Sequence, residues 1–393
     1  MELKEKIQAL SRQIYPEVIK FRRHLHANPE LSYEEYNTAR FIADKLREFG
    51  LSPVEGVAKT GVVCLVEGKN KDSRVIALRA DIDALPILEQ NDIPYKSKND
   101  GVMHACGHDV HTSSLLGTSW ILNQLRDQFT GTVKLLFQPG EEKTPGGALL
   151  MINEGVLKNP EPQSILGQHV MPHLPAGKVG FKSGLYMASA DEIYLRITGK
   201  GGHAAMPDIN IDPIVIASHI IVALQQIVSR NANPKLPTVL SFGKIIANGA
   251  TNVIPDQVYI EGTFRTLDEE WRARAHEKIR KIAESVGEGM GAAVDLNIVK
   301  GYPFLKNNPE LTQRARALAV EYVGEENVVD LDIWMAAEDF AYYTLYVDAC
   351  FYRLGVGNES KGIISSVHTP TFNIDESALE TGPGLMAWQA VNL

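Results

Sequence analysis

The hydrophobic pattern of the chain changes near residue 184 and changes back near residue 300. Before and after this middle segment, short apolar runs alternate with helical segments. The predicted buried strands lie at 61–67, 75–79, 132–137, 164–167 and 349–354, and the predicted helices at 3–26, 32–49, 108–125, 309–323 and after Asp375. Such alternation is typical of βαβ units, so it predicts an α/β domain with a mostly parallel central sheet.

The middle segment has a different pattern. Apolar residues alternate with polar ones over 192–198, which predicts a strand with one solvent-facing side. A helix from Asp212-Pro213, two strands, a helix and a last strand follow, in the order β-α-β-β-α-β of a split βαβ unit. We therefore predict a discontinuous α/β domain from residues 1–183 and 300–393, carrying an inserted α+β domain at 184–299.

The helix that follows Asp212 is apolar on almost every side. One face can cover the sheet of the inserted domain, and the opposite face also requires a partner because large apolar patches are rare on soluble monomers. A neighbouring domain of the same chain could cover it, but a homodimer contact is favoured.

Composition limits the possible partners. The chain has 393 residues and a net charge of −9, which argues against general binding to nucleic acids or anionic membranes. Three widely spaced cysteines predict no disulfide framework, and the polar N-terminus predicts no secretory signal. The apolar stretch 214–224 is short for a membrane span. We expect a cytoplasmic protein.

Potential metal ligands and acids follow three of the predicted strands. Asp81 and Asp83 follow the first, Glu141 and Glu142 the second, and His169 the third. In open α/β sheets, ligands bind beyond the carboxyl ends of the strands, so these side chains are expected to converge.

A further pair of potential ligands, Cys106 and His108, precedes a helix with Gly107 between them, where the backbone can turn both side chains toward one point. Thiolate, imidazole and carboxylate together suit zinc or a related divalent ion. A single histidine at a strand end is usually structural, and adjacent glutamates usually form a solvated turn. Their coincidence at one sheet edge favours a metal site.

A set of motifs spread over nearly the whole chain resembles the M20 metallopeptidase family, and within it the amidohydrolase branch of aminoacylases, hippurate hydrolases and auxin-conjugate hydrolases. The motifs are RRHLH (22–26), RADIDALP (79–86), HACGHD (104–109), QPGEE (138–142), GQHV (167–170), GKGGHAAMP (199–207), NVIPD (252–256), GTFRT (262–266) and AEDF (337–340). The resemblance implies a catalytic domain at 1–183 and 300–393, a lid and dimerisation domain at 184–299, and a centre of two divalent metal ions (Zn, Mn, Co or Ni).

The resemblance also implies roles for particular residues. The positions that match metal ligands are Cys106, His108, Glu142, His169 and His368. Spacing alone would not have selected His368. Glu141 matches the catalytic carboxylate that takes a proton from water and delivers it to the leaving amine.

The acids around RADIDALP depart from part of the family. Asp81 stands where peptidase branches have a metal-binding histidine, and Asp83 where they have an orienting aspartate. This departure fits the amidohydrolase branch and disfavours aminopeptidase or dipeptidase activity. Asp109 is a further candidate for orienting a ligand histidine, as carboxylates beside metal sites do.

Three residues of the inserted domain are candidates for handling the substrate, His203 and Asn252 through the resemblance and Arg265 through its place on a strand, where an arginine can also simply be solvated. His203 is implied to donate a hydrogen bond in the active site of the partner subunit, although a loop histidine beside two glycines can be purely structural. Arg265 lies on the polar face of a predicted strand and could clamp a substrate carboxylate. Asn252 matches a residue that makes polar substrate contacts, although alone it would indicate only a turn.

The leading hypothesis is a metal-dependent amidase that cleaves N-acyl amino acids, as a homodimer. A carboxypeptidase or dipeptidase acting on short peptides is the runner-up within the same chemistry. Two further hypotheses come from different classes of protein: a thiol hydrolase with Cys106 as nucleophile, and an inactive homologue that only binds its ligand.

Overall fold

The computed structural model describes residues 2–393, which form two compact units. The first comprises Met1–Tyr186, Lys306–Ile333 and Asp339–Leu393, and the second comprises Met187–Leu305 with Trp334–Glu338. The strands are β1 Val54–Val57, β2 Gly61–Glu67, β3 Val75–Asp81, β4 Thr132–Gln138, β5 Ser164–Pro175, β6 Val179–Phe181, β7 Gly184–Met187, β8 Asp191–Thr198, β9 Gly202–His203, β10 Thr238–Ile246, β11 Val253–Ile254, β12 Gln257–Thr266, β13 Ala293–Lys300, β14 Leu305–Asn307, β15 Val328–Asp330 and β16 Asp348–Gly357. The α-helices are α1 Leu3–Ala27, α2 Tyr36–Glu48, α3 His108–Gln124, α4 Gly147–Asn153, α5 Pro213–Leu224, α6 Glu269–Gly289, α7 Pro309–Val323 and α8 Ala378–Asn392.

An eight-stranded sheet in the order β1-β2-β4-β3-β5-β16-β6-β15 forms the centre of the first unit. The neighbours β4, β3, β5 and β16 run parallel, whereas β2 and β6 run antiparallel to their partners β4 and β16. The prediction of a mostly parallel α/β sheet is confirmed. Because β3 and β4 are parallel and end at Asp81 and Gln138, the residues that follow them emerge at the same edge.

Strand β5 is longer than predicted, which changes the position of His169. The apolar run suggested an end near Gly167, but the strand continues to Pro175. Pairing with β3 ends at Gly167, whereas β16 continues to pair on the other side as far as Pro175. His169 therefore lies within a strand, just beyond the point at which its pairing with β3 ends.

The second unit contains a four-stranded antiparallel sheet in the order β10-β12-β8-β13, with α5 and α6 in the connections. This arrangement confirms the predicted split βαβ, α+β architecture. Its core combines inward-facing strand residues such as Ile193, Leu195 and Ile260 with Ile216 and Ile279 from the two helices.

The apolar helix of this unit continues beyond α5 through a π-helical turn at Ile227–Asn231. The continuous segment Pro213–Asn231 has 19 residues and is long and apolar enough to cross a membrane by length and composition alone. Only 33% of its apolar stretch is buried, and the buried side chains, including Ile216, Ile220 and Leu224, pack into the core of the unit.

A buried ion cluster connects β8 to α6 in the second unit. Asp191 accepts hydrogen bonds from Arg272 Nε at 2.9 Å and from His276 Nε2 at 2.6 Å, and both Asp191 and Arg272 are buried. The partly buried His276 is therefore part of this cluster. Burial alone would raise the pKa of Asp191, but His276 and Arg272 lower it below its ordinary value.

Replacing Asp191 with asparagine should strongly destabilise the second unit, because it leaves the buried Arg272 with only the partly exposed Glu269 as its counter-charge. We expect Asp191→Asn to lower the free energy of unfolding by about 3–5 kcal/mol. Glu261→Gln, which removes the exposed ion pair with Lys244, should cost less than about 1 kcal/mol. Native-state hydrogen exchange of the β8 amides measures both effects.

The pH dependence provides a second check on the same variant. Because the pKa of Asp191 is lowered by folding, its stabilising contribution is present above the pKa of an unfolded aspartate and is lost as pH falls. The difference between wild type and Asp191→Asn should therefore shrink in acid. Equal effects of the Asp191 and Glu261 variants at neutral pH would contradict this interpretation.

Candidate metal centre

The turn into helix α3 brings Cys106 and His108 to one point. Gly107, between them, has φ +81°, and a Cβ added there would lie 2.5 Å from Cγ2 of Val170. Glycine is thus required both for the left-handed backbone and for the close approach to β5. Ligand atoms of Cys106, His108 and His169 lie within 4.8 Å of one another, and Cys106 Sγ is 3.5 Å from His169 Nε2.

A second group of potential ligands shares Cys106 with the first. Nε2 of His368 lies 3.3 Å from Cys106 Sγ and 3.2 Å from Oε1 of Glu142. The five predicted ligands therefore form two groups of three that meet at the thiol, Cys106–His108–His169 and Cys106–Glu142–His368.

Hydrogen bonds to the outer ring nitrogens orient two of these histidines. Nδ1 of His108 lies 3.0 Å from Oδ1 of Asp83, and Nδ1 of His169 lies 2.8 Å from the carbonyl oxygen of Val170. Donation from Nδ1 assigns Nε2 of each ring to the metal side, where a bound ion would take the place of any proton on it. Within residues 2–393, His108 Nε2 and Glu142 Oε1 are buried and have no hydrogen-bond partner. Such atoms are costly unless a ligand satisfies them.

Asp83 connects several parts of the site. Its carboxylate accepts from His108 Nδ1, from Ser32 Oγ at 2.7 Å and from the backbone N–H of Glu142 at 2.9 Å. One buried carboxylate thus fixes both a ligand ring and the backbone of a second ligand. This geometry is what the proposed orienting role of Asp83 requires.

Asp109 has a different environment from the one we expected. Its carboxylate accepts from Arg22 Nε at 2.9 Å and contacts His26 Nδ1 at 2.9 Å, and neither residue belongs to the predicted ligand set. We expected Asp109 to orient a ligand histidine. This prediction is wrong, because the histidine that Asp109 contacts is His26, which is not a predicted ligand. Adjacent residues of a helix point in different directions, so Asp109 faces away from His108.

The electrostatic environment favours a cation. Burial lowers the pKa of His108, but Asp81 and Asp83 outweigh that effect and raise it to about 10. Burial raises the pKa of the Cys106 thiol well above its ordinary value, and the Glu142 and Glu141 carboxylates raise it further. A thiol in this environment is a poor nucleophile because the thiolate is destabilised. A metal ion reverses that effect by stabilising the thiolate directly.

The predicted catalytic carboxylate lies beside this group. Glu141 is buried, and one of its oxygens lies within 4.8 Å of the ligand atoms of His108 and Glu142. The backbone N–H of Asp339 approaches Glu141 Oε1 at 3.4 Å. Neighbouring glutamates in the turn after β4 thus present both carboxylates to the same region.

A hydrogen-bonded chain behind the site was missed at the level of sequence. His111 Nδ1 contacts Asp81 Oδ1, and its Nε2 accepts from the backbone N–H of Val170 at 2.9 Å, so the ring is neutral with its proton on Nδ1. Burial lowers the pKa of His111. The spacing of three residues from His108 on one helix was a usable signal, since such residues are neighbours on the helix surface.

Glu35 was also missed. It is fully buried and accepts from Thr60 Oγ1 at 2.6 Å and from the backbone N–H of Gly140 at 2.9 Å, so it supports the turn that carries Glu141. Burial and the nearby charge of Asp83 raise its pKa to about 7. No local sequence signal separates Glu35 from the surface glutamates of a helix start.

His203 and Asn252 are adjacent within the second unit. The β9–β11 ladder pairs His203 with Val253, and Ala204 N–H donates to the Asn252 carbonyl at 3.0 Å. His203 is exposed, and its Nδ1 accepts from the Ala205 N–H at 3.1 Å, which leaves the proton on Nε2. The ring is therefore oriented as a hydrogen-bond donor toward solvent.

Arg265 lies apart on β12 and is partly buried. Its Nη1 donates to the Met335 carbonyl at 3.3 Å, and within residues 2–393 no carboxylate lies within ion-pair distance of its guanidinium. Burial lowers its pKa, while Asp191 acts in the opposite direction. The guanidinium of Arg265 can therefore pair with an anionic group.

Comparisons with known proteins agree on one family. Residues 77–387 match the family described as Peptidase family M20/M25/M40. An N-acyl-L-amino acid amidohydrolase of Geobacillus stearothermophilus is 44% identical over 299 residues, covering 76% of this chain and 80% of that protein. Thermostable carboxypeptidase 2 of Saccharolobus solfataricus is 38% identical over 385 residues, covering 97% and 96%. The crystal structure of the Bacillus subtilis YXEP protein, described as a dinuclear metal-binding peptidase from the M20 family, has a TM-score of 0.82 and 37% identity, covering 97% and 98%.

A methyl group at Gly107 should disrupt the turn that carries Cys106 and His108. Gly107→Ala combines a left-handed alanine, which costs about 1–2 kcal/mol, with a collision against Val170 that adds about 1–3 kcal/mol. Gly50→Ala is the matched control, since Gly50 has φ +82° and nothing within 4 Å of an added Cβ. Urea denaturation measures the difference, and Val170→Ala should recover part of it. Equal destabilisation by the two alanines would contradict the packing argument.

Proposed function

Because this chain belongs to peptidase family M20/M25/M40, we propose that it hydrolyses the amide bond of N-acyl amino acids with the help of two divalent cations. The observation that carries the proposal is the pair of ligand groups that share Cys106 at one sheet edge. The 44% identical amidohydrolase from Geobacillus supports the substrate class. The reaction consumes one water and yields a carboxylate and a free amino acid.

The residues fit the proposed cations. The ligands would be Cys106, His108, Glu142, His169 and His368. Two of them present buried atoms that lack any hydrogen-bond partner within residues 2–393, and such atoms are what a metal ion would satisfy. Thiolate and imidazole ligands suit zinc or a related divalent ion better than calcium or magnesium, and zinc, manganese, cobalt and nickel are the candidate ions. When bound, paired divalent cations lower the pKa of water and polarise a carbonyl group.

The proposed chemistry of the chain centres on Glu141. Its carboxylate takes a proton from the attacking water and returns it to the nitrogen of the departing amine. Glu142 cannot transfer this proton if its oxygen is bound to a cation. The two adjacent glutamates would therefore have different roles: Glu141 transfers the proton and Glu142 binds the metal. Asp83 keeps His108 in the tautomer that offers Nε2.

Three side chains of the second unit are proposed to handle the substrate. The Nε2–H of His203 would donate to the oxygen that becomes negative in the transition state, in the active site of the partner subunit. Arg265 would bind the substrate carboxylate as a bidentate ion pair, and Asn252 would add a polar contact. The exposed ring of His203 and the lack of a carboxylate partner for Arg265 within residues 2–393 support these roles.

We infer a homodimer through the second unit. Helix α5 exposes Ile214, Val215 and Val222, the last at 72% of its surface, and the edge strand β10 of the same unit exposes Ile245. Apolar side chains on a helix face and on an open sheet edge favour association. A cytoplasmic location remains a prediction.

The main competing function is that of a carboxypeptidase, which the 38% identical enzyme of Saccharolobus supports. Both activities need a clamp for a substrate carboxylate, so Arg265 does not separate them. A thiol hydrolase is disfavoured because burial and the surrounding acids raise the pKa of Cys106.

Substrate and metal dependence test the proposed function together. We expect faster hydrolysis of N-acetyl amino acids than of dipeptides with the same C-terminal residue, measured as kcat/KM. Dialysis against a chelator should abolish the activity, and added Zn²⁺, Mn²⁺ or Co²⁺ should restore it. Preference for dipeptides would favour the carboxypeptidase, and activity that survives metal removal would refute metal dependence.

Mixed dimers test the roles of Glu141 and His203. Glu141→Gln should retain its metal ions but lose several orders of magnitude in kcat, and His203→Ala should also be nearly inactive. If His203 acts across the dimer, verified heterodimers of the two variants should recover part of the activity, because one site then has both residues. Adding Val222→Arg to both chains should abolish dimerisation and recovery. No recovery in verified heterodimers would place His203 in its own subunit's site.

A further inference from the structure

We propose that Arg22 is a positioning residue that holds the segment bearing His368 in place through Asn373. The inference rests on the proposed function, since it concerns how one ligand of the metal centre is held. The sequence does not reveal this role, because Arg22 and His368 are more than 340 residues apart and no local pattern links them.

The segment that carries His368 depends on outside contacts for its position. Residues 364–377, between β16 and α8, form neither a helix nor a strand. His368 itself has φ +62°, a left-handed conformation that is uncommon for a residue other than glycine. Its backbone N–H donates to the Ala105 carbonyl at 2.7 Å, next to Cys106. A strained residue of this kind persists only where its surroundings fix it.

Three hydrogen bonds from other parts of the chain hold residues 370–373, just after His368, and Arg22 Nη1 also donates to Oε1 of Glu376 at 3.4 Å. The Gln90 N–H donates to the Pro370 carbonyl at 2.8 Å, and Asn91 Nδ2 donates to the Phe372 carbonyl at 2.8 Å. The third is donated by Arg22 Nη2 to Oδ1 of Asn373 at 3.1 Å.

The same guanidinium is anchored at the start of α3. Arg22 is fully buried, and its Nε donates to Asp109 Oδ2 at 2.9 Å, one residue from the ligand His108. Its planar fork therefore connects the backbone region of one proposed ligand to the segment of another.

His26 and Glu89 complete this buried network. His26 contacts Asp109 through Nδ1 at 2.9 Å and Glu89 through Nε2 at 3.0 Å, and Glu89 in turn accepts from Asn91 Nδ2 at 2.9 Å. The network leads back to the same segment, since Asn91 also binds the Phe372 carbonyl. Buried charge is an expensive way to stabilise a fold, and apolar replacements are often more stable. This network lies between the segments that carry His108 and His368. Its position indicates that it controls the geometry of these two ligands.

Zinc titration of the intact chain by calorimetry tests the inference. Asn373→Leu keeps the size of the side chain but removes the acceptor for Arg22. We expect one equivalent of Zn²⁺ to bind about 10–100-fold more weakly, as when supporting partners of metal ligands are lost, and the other to bind as in wild type. Asn373→Asp retains an acceptor for Arg22 and should bind both equivalents with nearly wild-type affinity.

Two further variants distinguish a specific effect on zinc binding from a general effect on folding. Arg22→Lys keeps the charge but loses the fork, and should weaken the same single equivalent as Asn373→Leu. Asn123→Leu is the matched control, because Asn123 binds the Phe49 carbonyl at the opposite end of α3, and it should bind both ions normally.

The outcomes separate this inference from the proposed function. Unchanged binding of both equivalents in Asn373→Leu and Arg22→Lys, or equal weakening of both, would overturn the positioning role while leaving the metal centre intact. Failure of the wild type itself to bind two zinc ions would overturn the proposed function and this inference with it.

Discussion

Several carboxylates and a thiol are buried together at one edge of the central sheet, and the rest of the site depends on how that negative charge is compensated. Asp81, Asp83 and Glu141 are all nearly inaccessible to solvent, as is Cys106. Burying acids without compensation is strongly unfavourable. The chain supplies part of the compensation through buried cations such as Arg79, which pairs with Asp81. The proposed cations would supply the remainder at the buried nitrogen of His108 and the buried oxygen of Glu142, which have no hydrogen-bond partner within residues 2–393.

Much of the fold could be predicted because the elements that matter are short and strongly patterned. Strand β2 and helix α7 have the bounds that periodicity indicated, and the split βαβ unit followed from the order of its elements. The end of β5 could not be predicted, since it is set by pairing with β16, which comes about 180 residues later in the chain. Short elements such as β6 and β15 also depend on their partners more than on their own composition.

The candidate site was predictable to the extent that its residues lie near one another in sequence or follow parallel strands. Cys106, His108 and Glu142 are of this kind. His368 was reached only through the resemblance, because an irregular segment brings it to Cys106 from the far end of the chain. The expected partner of Asp109 was wrong because spacing on a helix start does not reveal which neighbour an acid will face. Glu35, which supports the Glu141 turn through a backbone contact, has no signature at all.

The most direct test of a cation pair at Cys106 is a crystal structure of the metal-loaded protein with anomalous diffraction measured at the absorption edge of the bound metal. The account predicts two anomalous peaks, one beside Cys106, His108 and His169 and one beside Cys106, Glu142 and His368. A fully loaded crystal with no peak in contact with the Cys106 thiol, or with its metal ions bound elsewhere, would contradict it.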